Sequence, residues 1–161
     1  MFSIDKKFKS NKGHYIFQCC LVTVSLGILF SMLDFFFDTA LVAALGATAF
    51  IVFTGPHKEI SRARYVIGGY IIGIIVGLVA INGFYLMQLD QSVFPVFSAL
   101  SVGVTMFLMV VFDFEHPPAA GVALGLMTNN GHLHSVAVAF LGILFVLTVR
   151  YMLRRFLIDL L

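Results

Sequence analysis

Charged residues are scarce in this sequence. They make up 11% of its 161 residues, whereas 60% are hydrophobic and the mean hydropathy is +1.02. A water-soluble domain of this length could not bury so much apolar surface. The composition therefore predicts a polytopic membrane protein, and we expect it to be all-α because helices satisfy their own backbone hydrogen bonds in a bilayer.

Long polar segments are lacking too. The longest is the tail at residues 1–14, so no separate soluble domain fits in the chain. We predict a cytoplasmic basic tail at residues 1–14, a single transmembrane helical domain at 15–155 and a cytoplasmic end at 156–161. The tail also lacks the Arg- and Ser-rich amphipathic pattern of an organelle transit peptide, which favours the plasma (inner) membrane of a bacterium.

Clusters of chemically reactive side chains are missing. Cys19 and Cys20 are adjacent and point in different directions on a helix, which disfavours a disulfide or a metal pair. His132 and His134 lie two residues apart, but a metal site needs more ligands than these. The sequence has no nucleophile–base spacing and no phosphate-binding loop. We therefore expect no enzymatic activity, no metal and no cofactor.

Lys and Arg occur only in three short groups. These groups lie in the tail, at residues 54–64 and at residues 150–155, and together they hold all 10 basic residues. Basic groups that flank apolar segments are typical of membrane topology rather than of nucleic-acid binding, so no nucleic-acid partner is expected. The positive-inside rule puts all three groups in the cytoplasm, and the N-terminus with them.

Five apolar segments approach the roughly 20 residues that a helix needs to cross a bilayer. They cover residues 15–33, 39–54, 65–89, 93–112 and 135–153, of which 39–54 is slightly short. Asp34 and Asp38 mark the outer boundary before the second segment, with Asp38 placed as an N-cap. A sixth stretch at 117–130 reaches only about 20 Å as a helix. We predict about four full transmembrane helices plus one short, Pro-initiated half-length helix.

The half-length helix has to take the chain back across the membrane. With both chain ends in the cytoplasm the number of crossings is even, so the segment at 117–130 must cross or re-enter. A helix of about 20 Å completes a crossing only if it begins part-way into the membrane. The sequence DFEHPP at residues 113–118 should therefore lie in a cavity recessed from the cytoplasmic face.

Two prolines mark the start of this helix, because proline in the first turn loses no hydrogen bond. A helix N-terminus favours anions, and we expect its free N–H groups to come from the three residues after the prolines. The predicted substrate-binding residues are those of the helix start and one arginine at the beginning of the third segment: His116, Pro117, Pro118, Ala119, Ala120, Gly121 and Arg64.

The charged residues near this site have two interpretations. Arg62, Lys58 and His57 are candidates for a vestibule that attracts anions. The alternative for Arg64, Arg62 and Lys58 is that they only set the membrane topology.

Asp113 and Glu115 place negative charge beside the predicted anion site. Either they form structural ion pairs with Arg64 or Arg62, or one of them is protonated when the anion enters, which would couple transport to protons. His116 is either a proton relay or a hydrogen-bonding lock for the helix. The proton-coupling candidates are therefore Asp113, Glu115 and His116.

Gly69, Gly73 and Gly77 recur every four residues in the third segment. Such a doubled GxxxG ridge allows two helices to approach closely. The pattern fits packing within one chain and packing in a homo-oligomer equally well.

Three blocks of sequence resemble one known family. The stretch HPPAAGVAL occupies residues 116–124, LGATA occupies 45–49 and RYVIGG occupies 64–69. The first resembles the signature of the HPP family of small integral membrane proteins, and the others resemble the family's Gly-Ala-Ser-Ala-type and Arg-Asn-Val-Ile-Gly-Gly stretches. The resemblance covers residues 33–153. Residues 56–63 are more charged than the family's usual Ser-Pro-Leu-Ala-Gln-Pro, and Tyr70 stands where a histidine is common.

The resemblance implies transport of a small ion. Some plant and cyanobacterial relatives are nitrite transporters, whereas many bacterial relatives have no assigned role. We therefore expect a membrane transporter or channel for a small inorganic anion such as nitrite, with the lipid bilayer and the ion as partners. The alternatives are a cation or proton pathway that uses Asp38, Asp113 and Glu115, and a non-transporting membrane scaffold built on the glycine ridge.

Overall fold

The structure is a computed structural model that describes residues 11–32 and 39–160. Within these ranges it consists of six α-helices and two 3-10 helices, Glu59–Ser61 and Gln91–Val93, without strands. The α-helices are α1 Lys12–Met32, α2 Thr39–Thr54, α3 Ala63–Leu86, α4 Phe94–Val111, α5 Pro118–Thr128 and α6 Leu133–Leu153. The predicted all-α class is confirmed.

Helix lengths divide the bundle into two groups. α1, α3, α4 and α6 are long and apolar enough to cross a membrane, whereas α2 and α5 are apolar but have only 16 and 11 residues. The prediction of a helical polytopic membrane protein with about four full spans and a short, Pro-initiated helix is confirmed. The second short helix is α2, and the N-cap proposed for it, Asp38, lies with Asp34 outside the described residues.

Polar contacts bring the basic segments to one end of the bundle, which we call the basic end. It contains the starts of α1 and α3 and the ends of α2 and α6. The Tyr15 hydroxyl donates to the Leu160 carbonyl at 2.5 Å, and the Leu160 N–H donates to the Thr54 carbonyl at 2.8 Å. Arg150 donates to the Pro56 carbonyl. Every Lys and Arg of the described residues lies at this end, as the positive-inside pattern predicts.

Gln18 connects three segments at the basic end. It is 1% exposed, and its amide nitrogen donates to the Phe53 carbonyl at 2.6 Å and to the Ile158 carbonyl at 3.0 Å. Its amide oxygen accepts from the Ile158 N–H at 3.3 Å. A buried amide with these partners is stabilising because neither its donor nor its acceptor is left unsatisfied. The chain after α6 is thereby held against α1 and α2.

The opposite end carries acidic and neutral polar residues. The Tyr85 hydroxyl at the end of α3 lies 2.6 Å from Asn130 Oδ1, just after α5. Asp90 precedes α4, and hydrogen bonds from the Ser92 hydroxyl and backbone N–H hold the pKa of the Asp90 carboxyl below its usual value. Since α5 begins near the basic end and finishes beside Tyr85, it carries the chain toward this opposite end, as the count of crossings predicts.

Three helices end in the same way, with a non-glycine residue in the left-handed region. Gln88, Asp113 and Asn130 have φ values of 51°, 56° and 55° and follow α3, α4 and α5. After each of them, the next N–H bonds back to a carbonyl five residues earlier, as in Phe114 N–H to Met109 at 2.9 Å. This is the Schellman arrangement, which satisfies the last carbonyls of a helix. It makes Asp113 the residue that stops α4.

The glycine ridge of α3 packs against α5 within the chain. A Cβ atom added at Gly73 would lie 2.4 Å from the Ala119 carbonyl oxygen, and one at Gly77 would lie 3.0 Å from Ala123 Cα. At Gly69 it would lie 2.9 Å from His116 Cβ. The ridge residues are buried, so this face is occupied by α5. The suggestion that a homo-oligomer forms through the Gly69, Gly73 and Gly77 face is thereby corrected.

We expect Gly73→Ala to destabilise the protein by about 1–3 kcal/mol, because the new methyl group meets backbone that cannot move without shifting α5. Gly83→Ala is the matched control on the same helix, since a Cβ there meets nothing within 4 Å. The control should be neutral or more stable by up to about 1 kcal/mol. Thermal unfolding of the detergent-solubilised proteins, followed by circular dichroism, measures both. Equal midpoints for the two variants would contradict this packing.

Candidate functional site

His116 lies in the centre of the bundle and is 0% exposed. Its Nε2 lies 3.0 Å from Thr48 Oγ1 on α2, and that hydroxyl lies 2.8 Å from the Tyr70 hydroxyl oxygen on α3. Its Nδ1 lies 3.1 Å from the Ile60 carbonyl oxygen. These four residues form what we call the polar chain, which joins α2, α3, the start of α5 and the loop before α3.

The partners of the polar chain determine the direction of its hydrogen bonds. The Ile60 carbonyl can only accept, so Nδ1 of His116 carries a proton. In a neutral imidazole, Nε2 then accepts from the Thr48 hydroxyl, which in turn accepts from Tyr70. Every polar atom of the chain is satisfied without burying a charge. This arrangement favours a neutral His116 that locks the start of α5, whereas a proton relay needs Nε2 to donate.

The polar chain lies below the basic end. Thr48 precedes the end of α2 at Thr54 by six residues, and Tyr70 follows the start of α3 at Ala63 by seven. At a rise of about 1.5 Å per residue, His116 therefore lies about 10 Å inside the bundle. The start of α5 is recessed, in agreement with what its length predicts.

Asp113 forms an ion pair at the mouth of this recess. Its Oδ2 lies 3.1 Å from Arg64 Nη2, and both side chains are more than half exposed. The Arg64 guanidinium also lies 5.4 Å from the Phe114 ring centroid. Phe114 in turn packs on Gly68, where an added Cβ would come within 2.4 Å of its ring. Of the two alternatives for Asp113, the structure shows the ion pair with Arg64. An ion pair this exposed contributes about 0–1 kcal/mol to stability.

Glu115 lines a cavity of about 200 Å³ between α4 and the start of α5. The other lining residues are Met106, Met109, Val110, His116, Pro117 and Ala120. Glu115 is exposed, and it has no ion-pair partner among the residues that the structure describes. Its carboxyl group is therefore the uncompensated charge of a cavity that is otherwise mainly apolar.

The first N–H groups of α5 are already used. Ala119 N–H donates to the His116 carbonyl at 2.9 Å, and Ala120 N–H donates to the Pro117 carbonyl at 3.1 Å. The expectation that these two groups are free was wrong, because Pro117 already has helical dihedral angles and the helical turn begins one residue earlier. Gly121 lies against α2, where an added Cβ would be 3.3 Å from Ala44 Cβ.

The remaining basic candidates lie at the basic end but do not line this cavity. Arg62 lies 3.5 Å from Glu59, and the His57 backbone N–H donates to Asp159 Oδ1 at 3.0 Å. The alkyl chain of Lys58 covers Gly55. No group of three or more His, Cys, Asp or Glu side chains is placed to hold a metal in residues 11–32 and 39–160, and Cys19 and Cys20 are exposed and unpaired.

Thr48 and Tyr70 were not predicted from the sequence as partners of His116. A stripe of hydroxyl side chains on the buried face of α4, formed by Ser98, Ser101 and Thr105, was not predicted either. Two of them bond to their own helix, Ser101 to the Ser98 carbonyl at 2.7 Å and Thr105 to the Ser101 carbonyl at 2.8 Å. Their spacing of three and four residues within an apolar segment was the signal available for finding them.

Comparison with known proteins identifies the family of the chain. A family model for the transmembrane region of HPP proteins matches residues 9–157. The chain belongs to the HPP family. No curated protein and no solved structure matches it.

The three sequence blocks that resemble the family come together at the polar chain. Thr48 lies in the block at 45–49, Tyr70 directly follows the block at 64–69, and His116 begins the block at 116–124. These blocks are far apart in the HPP-family sequence, yet the hydrogen bonds of Thr48 connect all three. Tyr70 bonds to Thr48, and its ring centroid lies 5.9 Å from that of His116.

We expect Thr48→Val to destabilise the protein by about 1–3 kcal/mol, because it leaves His116 Nε2 buried without a partner. Tyr70→Phe should cost only about 1 kcal/mol, since Thr48 still donates to His116. Thr23→Val serves as control, because the Thr23 hydroxyl is exposed and bonds only to the Cys19 carbonyl. Unfolding midpoints measure all three. If Tyr70→Phe lowers the unfolding midpoint more than Thr48→Val does, the proposed direction of the hydrogen bonds in the polar chain is wrong.

Proposed function

We propose that this HPP-family protein is a transporter or channel for a small inorganic anion, with nitrite as the first substrate to test, and that Glu115 couples its movement to protons. The observation that carries the proposal is the Glu115 carboxyl, which lines the cavity at the recessed start of α5 without a cationic partner among the described residues. Ionisable groups at such depth in a membrane protein are rare unless they serve a function.

Electrostatics explains why a proton would accompany the anion. An ionised Glu115 repels an anion in the cavity, because the two carry charges of the same sign. A protonated Glu115 is neutral and can donate a hydrogen bond to the anion. The positive end of the α5 dipole lies at the same cavity through Pro117 and Ala120. The anion and the proton therefore enter together.

The charges at the basic end support the approach of an anion. Arg64 is neutralised by Asp113, but Lys58, Arg154 and Arg155 add positive charge to the same end of the bundle. Such a surface raises the local concentration of anions. We propose that this end lies in the cytoplasm of a bacterium and that the helices lie in its plasma membrane, in accordance with the positive-inside rule.

The hydroxyl stripe on α4 supports a route beyond the cavity. Met109 lines the cavity, and the buried face that contains it continues through Thr105 and Ser101 to Ser98. From Met109 to Ser98 this face extends over about 16 Å along the helix axis. Ser98 Oγ is buried and has no hydrogen-bond partner among the described residues, so it can bond to a passing ion or water.

A cation or proton pathway is the second candidate. The same uncompensated carboxyl of Glu115 favours it, because an ionised carboxylate attracts cations directly. Asp113 contributes less to such a pathway, since its charge is balanced by Arg64 at 3.1 Å.

Nitrite uptake by reconstituted protein tests the proposal. Wild-type proteoliposomes should accumulate nitrite faster when an inward proton gradient is imposed. In Glu115→Gln, which resembles the protonated state, stimulation by the gradient should be lost while some uptake down a nitrite gradient remains. Glu59→Gln is the matched control, because Glu59 is an exposed acid at the same end that contacts Arg62.

Three results would count against the proposal or against a part of it. Uptake no greater than in empty liposomes would refute the proposal for nitrite. An unchanged response to the gradient in Glu115→Gln would remove the coupling role of Glu115. Proton flux that is independent of any anion, and that Glu115→Gln abolishes, would establish the cation or proton pathway instead.

A further inference from the structure

A second cavity lies at the basic end, between the end of α6 and the loop before α3. Its volume is about 300 Å³, and its lining includes Arg150, Arg154 and His57 together with Leu147 and Tyr151. It therefore combines two guanidinium groups and an imidazole with an apolar side formed by α6. It shares no lining residue with the cavity at Glu115.

Both arginines of this cavity are held in place by contacts that leave their charges uncompensated. Arg150 is partly buried and donates to the Pro56 carbonyl, while the Arg154 guanidinium lies 4.7 Å over the Tyr151 ring. Neither forms an ion pair with an acidic side chain in the part of the chain that the structure describes. Asp159 contacts the third basic residue of the cavity, since its Oδ1 accepts from the backbone N–H of His57 at 3.0 Å and lies 3.5 Å from Nδ1 of the ring.

The position of the cavity relates it to the membrane surface. α6 is a spanning helix that ends at Leu153, so its last turn lies where the apolar core of the bilayer gives way to the polar headgroups. Exposed apolar side chains lie on this turn at Tyr151 and Met152 and just beyond it at Phe156. An aromatic ring beside basic groups is typical of this interfacial layer.

We propose that this cavity binds a phosphate-bearing anion, and that its occupant is the headgroup of an anionic phospholipid. A guanidinium group forms paired hydrogen bonds with phosphate oxygens, and the two arginines that line this cavity supply two such groups. Free phosphate shares that chemistry. The apolar side formed by Leu147 and Tyr151 fits the beginning of an acyl chain, which free phosphate lacks. Basic pockets between helices on the cytoplasmic side are places where anionic headgroups bind.

Native mass spectrometry of the full-length protein tests the proposal. The detergent-solubilised protein is incubated with equal amounts of phosphatidylglycerol and phosphatidylcholine that carry the same acyl chains. The wild type should retain phosphatidylglycerol in preference. Arg154→Gln should lower this retention about fivefold, as expected for one basic residue at a membrane surface.

Arg62→Gln is the matched control, because Arg62 is an exposed arginine at the same end that does not line the cavity. It should leave the retention unchanged. Arg150→Gln is added as a second cavity variant, and circular dichroism verifies that each variant is folded, since Arg150 also bonds to Pro56. Equal losses in Arg154→Gln and Arg62→Gln would show diffuse surface attraction and overturn the site.

A separate measurement distinguishes the two sources of phosphate. Thermal unfolding of the wild type is recorded with inorganic phosphate and with chloride at matched ionic strength. No difference between the salts, together with retention of phosphatidylglycerol, supports the lipid. Stabilisation by phosphate that Arg154→Gln abolishes, without preference for phosphatidylglycerol, would overturn the lipid as occupant. Equal retention of both lipids and no phosphate effect would overturn the proposal as a whole.

Discussion

The close packing of α5 on the glycine face of α3 is the constraint on which the rest of the structure depends. Because Gly69, Gly73 and Gly77 have no side chains, the backbone of α5 reaches α3 directly, and no bulkier residue fits between them. This contact fixes the depth of His116, which lies opposite Gly69. The depth of His116 in turn decides which hydroxyl groups it can reach. Packing thus sets the position of His116, and hydrogen bonds then satisfy the polar atoms that this packing buries.

The segment DFEHPP can now be understood residue by residue. Asp113 ends α4 in the left-handed region, Phe114 packs on Gly68, Glu115 lines the cavity and His116 enters the polar chain. The two prolines then begin α5. The six residues therefore have separate roles: ending a helix, packing on α3, lining the cavity, bonding in the polar chain and, for the two prolines, beginning a helix. The polar residues among them occur in an apolar region because of these roles.

The sequence predicted the helices well and their polar partners poorly. α2 begins and ends where the apolar segment at 39–54 does, and α4 differs from the segment at 93–112 by one residue at each end. The ends of these helices depend on local features, namely the length of the apolar segment, its prolines and the polar residues that flank it. The partner of a buried polar group depends instead on which helices become neighbours. For this reason the hydrogen bonds of Thr48 and Gln18 were not predicted, and the N–H groups of Ala119 and Ala120 were expected to be free.

Gln18 has a consequence for the order in which the protein is made. α1 is synthesised before the other described helices, but its buried amide bonds to the carbonyl groups of Phe53 and Ile158, the latter 140 residues further along the chain. Until those segments emerge from the ribosome, this amide must bond to water, lipid headgroups or the insertion machinery. The first helix therefore reaches its final environment only when α6 and the residues after it have been inserted. The contacts of Gln18 at the basic end therefore form late, after the last helix has been made.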